Sequence, residues 1–152
     1  VWQRFAELDA VSGGRAEGMD NASAARQAEV VLLSVPYAGH SATLLALKPE
    51  LAGKVVIDIT VPLRPPQVRR VHLPAGQAAA LEAQQILGDS ARLVAAMHHV
   101  SSVHLASEHA IDCDVLVCSD DEQALQLTLG LVADLGMRGI HAGALANAIA
   151  LE

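Results

Sequence analysis

Two short apolar runs constrain the fold of this chain more than any other feature: Val30, Val31, Leu32 and Leu33 in one, and residues 54–59 in the other. Both are rich in β-branched side chains and read as strands buried on both faces of a parallel sheet, since a strand with one solvated face alternates apolar and polar positions. Between them, residues 38–47 have helical composition ending near Pro49, and Gly53 precedes the second run. Strand, helix and strand at this spacing form a βαβ repeat.

The repeat continues in both directions. Downstream, a Pro-rich crossing leads to an Ala-rich helix expected over about 75–87, then a strand over 92–97. A fourth strand is expected over 114–118. Asp120 and Asp121 cap a helix reaching Leu135, residues 137–141 form a fifth strand, and a C-terminal helix begins at Gly143 and is expected to be cut off at Glu152. Upstream, Asp20 caps a helix through Ala28, residues 16–19 suit a short strand, and Ser12, Gly13 and Gly14 make a turn. Residues 1–8 read as helix, with Val1, Trp2, Phe5 and Leu8 on one face and no cap before them, so the chain is expected to start inside an element.

Strands alternating with helices imply an α/β fold with a mostly parallel, doubly wound sheet. Right-handed crossovers would place every strand's C-terminal end on one edge, where ligands bind in open α/β sheets. With 152 residues and 52% hydrophobic content, one core and a single domain over 1–152 are expected.

A net charge of −7 with only 10 Lys and Arg excludes the broad basic surface that nucleic acid or anionic lipid demands, so neither is expected as a partner. A phosphorylated cofactor remains open, because helix N-termini and backbone amides supply local positive potential. Cys113 and Cys118 match no redox or zinc spacing and read as ordinary buried thiols. No membrane span or signal peptide is legible, and a cytoplasmic location is expected.

Four strand ends carry unusual chemistry: Ser34 to Tyr37, Asp58 to Pro62, His98 to Ser102, and Ser119 to Asp121; the first three are expected to lie together. A proline after a strand sets the chain direction and removes a donor, so a flat ring or ribose can lie against the backbone. Pro36 and Pro62 could equally just end their strands. His98, His99, His104 and His109 fit no metal site, since adjacent His98 and His99 point oppositely on an extended chain, and no metal is expected. The Gly-x-Ser-x-Gly elbow of a hydrolase is absent.

The order of Ser34-Val35-Pro36-Tyr37, Thr60-Val61-Pro62-Leu63, Ala96-Met97-His98-His99-Val100, Cys118-Ser119-Asp120-Asp121 and Ala142-Gly143-Ala144-Leu145-Ala146-Asn147 resembles the NADPH-dependent reductases of the deazaflavin coenzyme F-420. The resemblance runs through essentially the whole chain. It implies a Rossmann-like, NADP-binding domain lacking its first βαβ phosphate-binding unit, with NADP(H) as cofactor and coenzyme F-420 as co-substrate. It implies direct hydride transfer with no acid or base catalyst. Ser34, Val35, Pro36, Tyr37, Val61 and Pro62 would line the NADP site, His98 and Ser102 would flank the nicotinamide where the deazaflavin docks, and Asn147 would shape the same pocket. A fragment without the glycine-rich turn is expected to be inactive alone, and a homodimer stays open for the full-length protein. Pyrroline-carboxylate or ketopantoate reductases share parts of the pattern, and a noncatalytic nucleotide binder or scaffold is the remaining alternative. Ala144, Ala146, Ile149 and Ser101 depart from the family's usual residues.

Overall fold

The computed structural model describes residues 13, 16–70, 72–105 and 111–152. In chain order these form helix α1 (Asn21–Gln27), strand β1 (Val30–Leu33), α2 (Tyr37–Leu51), β2 (Val55–Asp58), α3 (Ala79–Leu87), β3 (Arg92–Ala96), the one-turn α4 (Ser102–Leu105), β4 (Asp114–Ser119), α5 (Glu122–Asp134) and β5 (Arg138–His141). Short 3-10 segments cover Gly88–Ser90 and Leu145–Ala150. The expected helix over 1–8 and most of the 12–14 turn fall outside the described residues.

One five-stranded sheet runs in the order β1-β2-β3-β4-β5. Strands β1, β2 and β3 are mutually parallel, and β4 with β5 is parallel too, but β3 and β4 pair antiparallel, with Val94 opposite Ser119 and Ala96 opposite Val117. The sheet is therefore mostly parallel as expected, yet its C-terminal strand ends do not share one edge. The cause lies in residues 97–113, whose described part holds only the one-turn α4. A parallel return requires a crossover over the sheet face; the described part of this segment makes none, and the chain pairs back antiparallel.

Other expectations shift for local reasons. Residues 16–19 form no strand, and residues 75–78 are turn and extended chain before α3, with Gln77 at φ 73. Helix α2 runs through Pro49 to Leu51; Leu45, whose carbonyl loses its helical partner, is 63% exposed, so water can take its place. The expected C-terminal helix is a 3-10 segment within the described residues. Strand β1 is not buried on both faces, because Leu32 is 51% exposed.

Alternation along the strands divides the interior into two cores. Leu93 and Ala95 of β3, with Val56 of β2, pack beneath Leu44 and Leu51 of α2, Leu87 of α3 and Leu145. Val94 and Ala96, with Val55, Ile57, Val115 and Val117, pack against Ala124, Leu125 and Val132 of α5. Full burial of one such Leu or Val side chain contributes about 1.5–3 kcal/mol, so helices on both faces are what hold the central strands. Helix α5 packs mainly on β3, β4 and β5, and Leu32 of β1 stays uncovered on that face.

Candidate functional site

Because β1 and β2 are adjacent and parallel, the segments leaving them lie side by side, and Ile59 N–H donates to Leu33 O at 3.3 Å to join them. Between them opens a cleft of about 520 Å³ lined by Ser34, Val35, Pro36, Tyr37, Thr60 and Val61, with Leu63, Pro65 and Val68 closing one side. Pro36 is extended at φ −58 and directly precedes α2, where the missing proline donor costs nothing. Tyr37 O–H donates to Glu82 Oε2 at 2.9 Å, and Glu82 Oε1 accepts from Gly76 N–H at 3.2 Å. Partial burial, with the Glu82 carboxylate beside it, pushes the Tyr37 phenol up to about 12, so it stays protonated.

Behind the cleft sits a buried polar couple. His40, in the first turn of α2, donates from Nε2 to Asp58 Oδ2 at 2.7 Å, and both side chains are fully buried. Asp58 Oδ1 accepts the Thr60 N–H at 2.9 Å. One carboxylate thus ties the helix after β1 to the loop after β2. His40 Nδ1 and Thr60 Oγ1 are buried without a partner in the structure. Such orphaned groups cost about 1–3 kcal/mol each unless water or a ligand meets them.

His98 follows Met97, which takes φ 63, a left-handed conformation uncommon outside glycine. Both ring nitrogens of His98 are buried without partners. Burial pulls its pKa down to about 4 despite the opposing influence of Asp58, so the imidazole is neutral at neutral pH. His99 donates from Nε2 to Asp114 O at 2.7 Å, bridging the end of β3 to the start of β4.

The structure brings Ser34, Val35, Pro36, Tyr37 and Val61 to one cleft; Pro62 lines the neighbouring cleft and shares Val61 with it. His98 lies on the same sheet edge, within electrostatic reach of Asp58. Ser102 opens α4 on that edge and is exposed. Asn147 does not line the cleft: its amide donates to Ala142 O at 2.7 Å, just past the end of β5, although Ile149, two residues on, lines the neighbouring cleft. Ser119 to Asp121 lie away from the cleft, toward the start of β3, where Ser119 Oγ donates to Leu93 O, Asp121 caps α5 and Asp120 accepts from Leu145 N–H. Cys118 is buried, whereas Cys113 is only half-buried.

Sequence reasoning included Asp58 in the strand-end segment reaching Pro62 without giving it a role, and missed His40 and Glu152 as parts of this region. Glu152 accepts from Ala79 and Ala80 N–H at 2.5 and 3.0 Å at the start of α3, and burial raises its pKa. An acidic residue inside an otherwise apolar strand was the signal for Asp58; nothing local marks Glu152. Among the described residues, no group of three or more His, Cys, Asp or Glu side chains could hold a metal ion, and no helix is long and apolar enough to cross a membrane.

Comparison with known proteins places these loops in a family. Residues 3–62 match the family profile of coenzyme F-420-dependent NADP oxidoreductases. The chain is 36% identical over 99% of its length to an F-420-dependent NADP reductase of Methanothermobacter marburgensis, covering 70% of that protein. It is 34% identical, again over 99% of its length, to an F-420-dependent NADP reductase of Methanocaldococcus jannaschii, covering 66% of it. The crystal structure of a candidate F-420-dependent NADP reductase from an Arthrobacter species superposes with a TM-score of 0.73 at 24% identity, over 86% of this chain and 61% of that one, which shows the fold. On the strength of the identity to its full-length relatives, this chain belongs to the family of F-420-dependent NADP reductases.

Proposed function

We propose that this chain forms the nicotinamide-binding part of an oxidoreductase that transfers a hydride between NADP(H) and coenzyme F-420. The observation that carries the reading is the cleft where β1 and β2 end, walled by Val35, Pro36 and Val61 and backed by buried polar atoms that lack partners. Its volume of about 520 Å³ lies within the usual range for small-molecule sites, and its apolar walls suit a planar ring. The residues therefore fit the dinucleotide's redox-active end.

When bound, NADPH supplies the hydride, and reduction of the deazaflavin takes up that hydride together with one solvent proton, leaving NADP⁺. Val35, Pro36 and Val61 exclude water from the ring face, and Tyr37, held by Glu82, closes the end of the cleft. Neutral His98 offers one N–H donor and one lone pair to a bound ring, a role that its suppressed protonation preserves through neutral pH. Ser102, exposed at the start of α4, would flank the docking deazaflavin. No strong acid or base is needed, since rate comes from alignment of the two rings.

The test is loss of NADPH absorbance with and without coenzyme F-420, repeated with Ser102→Trp. Oxidation that depends on the deazaflavin, and that Ser102→Trp abolishes without loss of NADPH binding, supports the reading. NADPH binding with no transfer to the deazaflavin would overturn it in favour of a different substrate.

A further inference from the structure

The loop joining β2 to α3 is charged unlike the rest of the chain. From Asp58 to Glu82 there is no acidic residue, while Arg64, Arg69, Arg70 and His72 all fall within it, in a protein of net charge −7. Backbone bonds from Gln67 N–H to Arg64 O and from Arg70 N–H to Gln67 O fold the segment into consecutive turns. It forms the outer wall of a second cleft, of about 220 Å³, which meets the first along Val61, Leu63 and Val68. Arg69, Arg70 and His72 line this second cleft, and Arg64 is close enough to Tyr37 to act on its phenol.

Among the described residues, none of these arginines forms a side-chain ion pair: the pairs there are Arg26 with Glu50, His40 with Asp58 and Arg138 with Asp114. His72 adds a ring nitrogen, Nε2, that is buried with no partner. The acidic side chain in the lining, Glu152, accepts from the Ala79 and Ala80 amides and is engaged at the start of α3. Unpaired guanidinium groups next to a concave surface are well suited to phosphate or carboxylate, which they bind through two parallel N–H donors.

We propose that Arg69, Arg70 and His72 form an anion subsite, adjoining the nicotinamide cleft, that holds a phosphate or carboxylate group of a bound co-substrate. This rests on the function proposed above. Two sources share that chemistry: the phosphodiester and carboxylate tail of coenzyme F-420, and the 2′-phosphate of NADPH. The tail would extend from a ring in the first cleft over the shared Val61 and Leu63 wall, whereas the 2′-phosphate sits on the adenosine ribose and would be brought there by the far end of the dinucleotide.

The test is equilibrium binding without turnover, followed by ligand fluorescence, for wild type and for the double variant Arg69→Gln, Arg70→Gln. The ligands are coenzyme F-420, the ribityl deazaflavin that lacks its tail, NADPH and NADH. A charge-matched control, Arg26→Gln with Lys48→Gln, removes the same charge at a distance, and thermal unfolding verifies that each variant folds. If the tail is the anion, the double variant binds coenzyme F-420 about tenfold more weakly and the tail-less ring unchanged. If the 2′-phosphate is the anion, NADPH weakens by that factor and NADH does not. In either case the loss shrinks with added salt. Unchanged binding of all four ligands, equal weakening of charged and uncharged forms, or the same loss in the control overturns the subsite. Failure of wild type to bind coenzyme F-420 at all would instead refute the proposed function.

Discussion

His98 makes the stability of this protein depend on pH in a window that can be calculated. Its folded pKa of about 4 lies below the ordinary 6.5 because burial disfavours the imidazolium. The unfolded chain therefore binds the proton more readily than the folded one, and stability present above pH 6.5 is lost as pH falls toward 4. Linkage between those two values gives a loss of about 2 kcal/mol between pH 7 and pH 5, rising to about 3 kcal/mol at pH 4. Other groups titrate nearby: Glu152, with its raised pKa, contributes in the opposite sense, gaining stability as pH falls. The comparison must therefore be with His98→Leu, which keeps every other group. Urea denaturation of both proteins at pH 7 and pH 5 should show wild type losing about 2 kcal/mol more than the variant over that interval. Parallel losses in the two proteins would mean that His98 is either solvated or hydrogen-bonded in solution, and the reasoning from its burial would be wrong.

Asp58→Ala should be among the most destabilising single changes, because it leaves the His40 ring and the Thr60 amide without their acceptor; about 3–5 kcal/mol is expected in urea denaturation at neutral pH. Asp121→Ala removes the cap accepted from Ala124 N–H at 2.8 Å and should cost about 1 kcal/mol, lowering the thermal midpoint by several degrees without affecting cofactor binding. Gly143→Ala meets strain from φ 97 and a Cβ only 2.5 Å from Asn147 Nδ2, so a loss above about 1 kcal/mol is expected, measurable by the same melts.

Much of the fold was legible because the local signals agreed. The Val30–Leu33 run became a strand with the expected boundaries, and Asp20 and Asp121 cap the helices that follow them. Ser34 to Tyr37 and Val61 could be placed together from the βαβ rule alone, since adjacent parallel strands must end side by side. His98 and His99 do not lie on the extended chain that was expected: both sit in the turn closed by Val100 N–H donating to Met97 O at 3.1 Å, where His98 is buried without partners and His99 bonds Asp114 O. Asn147 was out of reach of the same reasoning, because its position depends on which way β5 runs.

The amino-acid order by itself determined which segments could be strands, which could be helices, and which loops lacked competing donors; these follow from side-chain shape, periodicity and proline, all local properties. Only the tertiary structure decided the reversal at β4, the pairing of His40 with Asp58 and the seat of Glu152 on α3. Each is a contact between residues distant in the chain. Its energy comes from shared burial and from the need to satisfy polar groups removed from water, and no periodicity records that.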